Sequence, residues 1–280
     1  MLVNVLYFFI ALIALAVLML IAWREFDHRA DRVAVHRLLA AQAPGPGCFD
    51  SGMVADLPEP ARRYFRYTIE TGTPLYTVAR ITMAGRFGLG TQAKPAYLRM
   101  AATQILALST GFVWKMRARR GLMRLSGSDS ASWTRFWLMG VLPVARTGGD
   151  PNHARSAFGR CVAEAVFWTP AAVLPGPGVR WESVDVDVAR VVVSHRDFSQ
   201  AVDVTVAPDG QPTQVRFERW SNANPQKEYR LQPFGGCLSE CRDFAGFRLP
   251  THVEAGNGFG TDRYFPFFVA KVTDIGFPHD

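Results

Sequence analysis

The sequence predicts an α+β protein: an N-terminal transmembrane helix followed by a curved, mostly antiparallel, half-barrel-like sheet with one inserted helix. Three observations carry this. Residues 2–23, LVNVLYFFIALIALAVLMLIAW, contain no charged side chain. From Val78 onward, apolar residues recur with a period of two in short runs separated by Gly, Pro or polar residues. Between Asp150 and Pro170 the period reverts to that of a helix.

A helix rising about 1.5 Å per residue crosses a hydrocarbon layer about 30 Å thick with roughly 20 residues. Residues 2–23 supply that length, with Asn4 and the amphipathic Tyr7 as departures from apolar character. A cleaved secretory signal would instead want a positive n-region, a shorter apolar core and a small-x-small cleavage site. No Lys or Arg precedes this run, and the A-x-A that follows it, Ala41-Gln42-Ala43, lies far beyond its end. Residues 1–23 are therefore expected to be a retained, single-pass anchor. Arg24, Arg29, Arg32 and Arg37 on its C-terminal flank favour a cytoplasmic domain. Glu25, Asp27 and Asp31 interleave with them and leave the side of the membrane open.

Residues 24–43 are helix-compatible, with Val33, Val35, Leu38 and Leu39 partly in register, and Ala43-Pro44-Gly45-Pro46-Gly47 breaks them. Residues 24–55 thus read as a juxtamembrane helix and linker, and 56–280 as a single domain. Leu57-Pro58-Glu59-Pro60 opens a short amphipathic helix carrying Tyr64, Phe65 and Ile69, which ends at Gly72. The runs VARITMAGRFGL, AYLRMAATQIL, GFVWKMRAR, GLMRLSG and SWTRFWLMG follow too closely for crossover helices and read as antiparallel strands. In the inserted segment, Ala154, Ala157, Phe158, Cys161, Val162, Ala165 and Val166 form one apolar stripe. Asp150 and Pro151 suit its start, and Pro170 its stop. Strands resume after PGPG with VRWESV, ARVVVSHR, AVDVTVAPDG, PTQVRFERW, QKEYRLQPF, FRLPTHVEAG and YFPFFVAKVTDIGF; Asp209-Gly210 signals a hairpin. The inserted helix is expected to plug a curved, partly open barrel.

Of 280 residues, 49% are hydrophobic and 12% aromatic, ample for a folded core. The net charge of +7 is spread among strands, with its densest group at Lys115, Arg117, Arg119, Arg120 and Arg124. No nucleic-acid motif contains these residues, so contact with anionic headgroups is the expected use rather than specific nucleic-acid binding. Four cysteines are too few for a disulfide scaffold. Cys237 and Cys241 could bridge if the residues between them turn, or stay as two thiols.

No G-x-S-x-G elbow, Walker loop or zinc-ligand spacing occurs, so no catalytic residue, metal or cofactor is assigned. Gly85, Gly88 and Gly90 sit in a strand-like run and suggest a bend. Arg160 and Glu164 stand at i and i+4 on the inserted helix, either as a surface ion pair or, across a cavity, as a headgroup contact. Trp114, Trp137 and Trp168 are candidates to shape an apolar pocket on the concave face. His252 and Glu254 share a strand face and form the alternative acid/base pair.

LPEPARRYFRY, GFVWKMRA, GRCVAEAVFWTPAAVLPGPGVRWESV and GFRLPTHVEAGNGFGTDRYFPFFVAKVTDIGF together resemble a bacterial membrane-anchored family of unknown function. The resemblance covers nearly the whole domain and implies a bacterial inner-membrane location without an activity. More remotely, strands, one inserted helix and more strands are similar in architecture to the half-barrel of bacterial lipoprotein carriers. That likeness implies a concave apolar surface and argues for an outward-facing domain. The leading reading is a non-enzymatic protein that binds a membrane lipid or other hydrophobic small molecule. Beside it stand an enzyme acting on a hydrophobic or membrane-derived substrate and a membrane-tethered interaction scaffold.

Overall fold

The period-two segments all enter one sheet. The computed structural model describes residues 2–278, in which three α-helices accompany thirteen antiparallel strands. The helices are α1 (Leu2–Leu39), α2 (Glu59–Thr68) and α3 (Pro151–Trp168). The first half of the sheet comprises β1 (Val78–Gly88), β2 (Tyr97–Ala107), β3 (Gly111–Arg120), β4 (Met123–Ser130), β5 (Trp133–Leu138) and β6 (Leu142–Gly148). The second comprises β7 (Val179–Asp185), β8 (Val188–His195), β9 (Phe198–Val206), β10 (Pro212–Ser221), β11 (Arg230–Phe244), β12 (Phe247–Asn257) and β13 (Phe265–Gly276). Spatial order is β6-β5-β4-β3-β2-β1-β13-β12-β11-β10-β9-β8-β7. Two meanders are therefore joined where β1 pairs with β13, and α3 carries the chain from one edge of the sheet to the other. The fold class is the one the sequence predicts.

Alternation sorts each strand between two faces. On β2, Leu98, Met100, Ala102 and Leu106 enter the main core, and on β3 so do Phe112, Trp114 and Met116. α3 lies against this concave face, burying Cys161, Val162, Ala165, Val166 and Trp168. Asp150 caps it by accepting hydrogen bonds from the amides of Asn152 (2.9 Å) and His153 (3.0 Å), and Pro151 occupies its first turn. α2 packs beside it through Tyr64 and Phe65, and the Tyr64 hydroxyl donates to the carbonyl of Val166. The Asp209-Gly210 turn joins β9 to β10 and presses on α2. Gly210 has φ +94°, and a Cβ there would lie 2.2 Å from the Arg63 carbonyl oxygen.

Two strand assignments differ from the sequence reading. Residues 142–148 form β6, masked in the sequence by Pro143 and the flanking glycines; as an edge strand it tolerates proline. β11 runs fifteen residues through GGCLSEC, where the sequence leaves open whether the chain turns. A Cβ on Gly235 would meet the Phe259 ring and the Val215 carbonyl, so glycine here marks close approach within a strand. Cys237 and Cys241 consequently lie along one strand, separated by roughly 13 Å of rise, and both are free thiols. The bridge that a turn would have allowed does not form.

α1 is unbroken from Leu2 to Leu39. Among the described residues it is the one helix long and apolar enough to cross a membrane. Its apolar N-terminal part stands clear of the sheet, whereas its C-terminal part packs on the convex face of β2 and β3, where Leu38 meets Val78, Ile105 and Val113. Two carboxylates are buried in this contact. Asp27 accepts from Arg146 through both oxygens (2.7 and 2.9 Å), from Arg135 (3.3 Å) and from the Trp137 indole (2.9 Å). Asp31 accepts from Ser128 (2.7 Å), with the Lys115 ammonium 3.9 Å away. Burial pushes both carboxyls up. At Asp27 the hydrogen bonds from Arg146 and Trp137 outweigh burial and hold it below the usual carboxylate range; at Asp31 burial wins and the group is raised.

The two aspartates should therefore respond oppositely to neutralisation. Asp27→Ala leaves two guanidinium groups and an indole N–H unpaired and should cost about 2–3 kcal/mol at pH 7. Asp31→Asn should be neutral within about 0.5 kcal/mol or stabilising. Because the folded-state affinity of Asp27 for a proton is depressed, its contribution is present above its unfolded value near 4 and disappears as pH falls through the folded one. Thermal denaturation from pH 3 to 7 should show a wild-type loss on acidification that is diminished in Asp27→Ala; equal melting of all three proteins would contradict this.

Candidate functional site

Where α3 crosses the concave face it does not fill it. A cavity of about 200 Å³ remains, walled by Phe87, Trp114, Phe136, Phe217, Phe234, Phe267, Phe268 and, from the helix, Phe167 and Trp168. The rings meet edge-on or tilted: Phe87 to Trp114 at 5.8 Å, Phe217 to Phe234 at 5.4 Å and Phe234 to Phe267 at 5.9 Å between centroids. Such packing holds a rigid apolar surface.

Six polar residues line or adjoin this wall. Arg160 of α3 donates to Glu164 (2.7 Å), to Asp129 of β4 (2.5 Å) and to Gln104 of β2 (3.3 Å), and its guanidinium stacks 4.4 Å over Phe112. Gln104 in turn donates to Glu164, and Thr134 to Asp129. Burial works against the Arg160 charge, but Glu164 and Asp129 outweigh it, and the guanidinium is held above its ordinary value. Arg160 is thus matched by two carboxylates.

Arg219 of β10 does not join the network. Among the described residues it has no carboxylate within ion-pairing distance; it stacks 4.9 Å over Phe234, and its Nε is buried without an acceptor. Burial, aided by the neighbouring Arg160, brings it down to about 10, so it stays charged at neutral pH. The buried indole nitrogens of Trp114 and Trp168 likewise have no acceptor. Three donors on one aromatic cavity are left unmatched.

Of the residues singled out in the sequence, Trp114, Arg160, Glu164 and Trp168 line this cavity. Trp137 does not. Its parity on β5 places it on the convex face, 5.8 Å from Trp23 and bonded to Asp27, while Phe136 takes the inward position. His252 and Glu254 touch each other (3.3 Å) but also face outward, because the intervening Val253 and the following Ala255 line the cavity. Their positions give them no access to a substrate held on the concave face. Asp129, Gln104 and Arg219 were not singled out. A sequence signal existed for Arg219: it shares strand parity with Val215 and Phe217, an arginine on a core face.

A family model described as a family of unknown function (DUF6544) matches residues 47–270. Among solved structures, a LolA superfamily protein from Nitrosomonas europaea aligns with 12% identity and a TM-score of 0.37, over 78% of this chain and 92% of that one. A domain described as an outer membrane lipoprotein-sorting protein, from Vibrio parahaemolyticus, aligns with 11% identity and a TM-score of 0.36, over 71% and 85%. No protein of curated function matches the sequence.

The contrast between the two arginines is testable. Arg160→Leu abandons Asp129 and Glu164 in a buried setting and should cost about 3–5 kcal/mol. Arg219→Met, which breaks no ion pair, should change stability by less than about 1 kcal/mol or raise it. Chemical denaturation of the two variants measures the difference, and similar losses in both would refute this division of roles.

Proposed function

The chain belongs to the DUF6544 family of unknown function, and we propose that it is a membrane-anchored binding protein whose aromatic cavity takes an amphipathic acid. The ligand's apolar part lies against Phe87, Phe136, Phe267 and Phe268, and its carboxylate or phosphate oxygens meet Arg219 and the indole N–H groups of Trp114 and Trp168. The observation that carries this reading is the set of buried donors without acceptors, since a buried polar group costs free energy until it is paired. An acidic headgroup supplies the acceptors. Arg160, already saturated by Glu164 and Asp129, forms a rigid floor to the cavity.

The size of the cavity constrains the ligand. It exceeds the ~150 Å³ apolar hole that admits benzene and falls short of the ~300 Å³ at which drug-sized pockets begin. It suits a headgroup with a short apolar portion, and a longer chain would extend past the aromatic rim. Phe87 and Phe136 lie near the ends of β1 and β5, on the side of the sheet where Arg24 bonds the carbonyl of Gly140. That is also the side from which the apolar part of α1 projects, which favours a ligand drawn from the membrane.

Retention of the anchor is supported by contacts that the end of the apolar run makes with the sheet. Trp23 packs on Trp137, and the Arg146 guanidinium stacks 4.4 Å over Trp23. Residues 1–23 are accordingly read as a single-pass span of the bacterial inner membrane.

Full-length protein in nanodiscs should quench its tryptophan fluorescence on addition of decanoic acid, with about tenfold preference over decanol, the increment expected of one charge-assisted hydrogen bond. Arg219→Met should reduce that preference below about threefold. Equal affinity of the wild type for acid and alcohol, or no binding of either, would sink the proposal.

A further inference from the structure

The convex face carries a second arrangement that the inner cavity does not explain. Strand register places Arg86 of β1 opposite Arg99 of β2, Arg99 opposite Arg119 of β3, and Arg119 opposite Arg124 of β4. Directly paired residues on an antiparallel sheet point to the same side with Cβ atoms about 5 Å apart, and like charges in that relation repel. Four arginines in an uninterrupted lateral row are therefore a standing cost to the folded sheet.

Among the described residues no carboxylate offsets it. Among the described residues none of these four arginines forms an ion pair; Arg86 stacks on Tyr97 at 5.1 Å. Arg99, Arg119 and Arg124 line a groove between the sheet and α1, joined by Arg117 one step along β3 and by Arg24 from the helix, and no carboxylate lines that groove. The acids of α1 are engaged elsewhere: Asp27 with Arg146 and Arg135, Asp31 with Ser128 and Lys115, and Glu25 with Arg29 and Arg32.

The position of the groove identifies its occupant. Arg24 is the first charge after the apolar run and lies on the groove's lip, bonded to Gly140 and to Ser126. The adjoining turns and strand start expose apolar side chains, Leu122 between β3 and β4, Met139 between β5 and β6 and Leu142 at the start of β6, at 91%, 56% and 56%. A cationic groove edged by apolar turns at the mouth of a membrane-spanning helix matches the headgroup layer, where phosphates sit above acyl chains. We propose that the Arg86–Arg99–Arg119–Arg124 row and its groove bind the phosphate of an anionic phospholipid in the leaflet that α1 enters. Planar guanidinium groups engage phosphate oxygens in pairs, and a phosphate between neighbouring arginines removes their repulsion. This inference rests on reading α1 as a membrane span and is independent of what fills the inner cavity.

The test uses the full-length chain, with lipids counted by native mass spectrometry after release from nanodiscs of equal phosphatidylglycerol and phosphatidylcholine content. The wild type should retain phosphatidylglycerol at least about fivefold over phosphatidylcholine, and R99Q/R119Q/R124Q should lose that preference. Arg219→Met should keep it, which separates this site from the cavity. In lipid-free detergent the triple variant should melt no lower than wild type, since it removes like-charge contacts, and phosphatidylglycerol should raise the melting temperature of the wild type alone. A triple variant that melts far lower, an unchanged lipid preference, or full protection by millimolar inorganic phosphate in place of lipid would overturn the proposal. Recovery of a chain lacking residues 1–23 would overturn it together with the anchor reading, whereas failure of decanoic acid to bind would leave it standing.

Discussion

The inner face is governed by a problem of reach. β6 and β7 stand at opposite edges of a thirteen-stranded sheet, yet only the residues between Gly148 and Val179 join them. Laid flat at about 4.8 Å per strand, the edges would be nearly 60 Å apart, while an eighteen-residue helix spans about 27 Å. A curled sheet with α3 across its hollow lets this connection serve both edges. The cavity follows, because a straight rod cannot touch a curved surface everywhere. The aromatic side chains fill most of the gap, and the Arg160 network ties the helix to β2 and β4.

The same physics recurs on the outside with the roles exchanged. α3 brings an arginine to carboxylates, and α1 brings aspartates to arginines, each helix meeting the sheet through charges that pair only in the folded state. Such contacts are directional, unlike the apolar contacts around them, and they select one register of helix on strand. Tyr64 and its bond to Val166 do for α2 against α3 what Asp27 does for α1. Polar fixings thus position all three helices on a sheet whose apolar faces alone would allow sliding.

The fold was legible in sequence because alternation, helical periodicity and proline punctuation survive without tertiary information. The candidate site was legible only in part. Arg160 and Glu164 could be paired because they are one helical turn apart, but Asp129 and Gln104 join them from strands 31 and 56 positions away, which no local spacing encodes. Trp137 was placed on the wrong face for a related reason: α1 covers the outside of the sheet where α3 covers the inside, so both parities of β5 carry aromatics. β6 was hidden by Pro143, and the arginine row by register, since four scattered arginines become neighbours only when hairpins are aligned.

The continuity of α1 has a mechanical consequence. A flexible linker would let the domain sweep a hemisphere above its anchorage and search for partners. Here, on the proposed reading of its first half as a membrane span, one helix leaves the bilayer and lies along the sheet for about 24 Å from Trp23 to Leu39 with no proline or glycine within it. The domain is a fixture mounted at constant height and azimuth. Whatever it binds must be delivered to that spot, by lateral diffusion in the leaflet or by a partner that docks there.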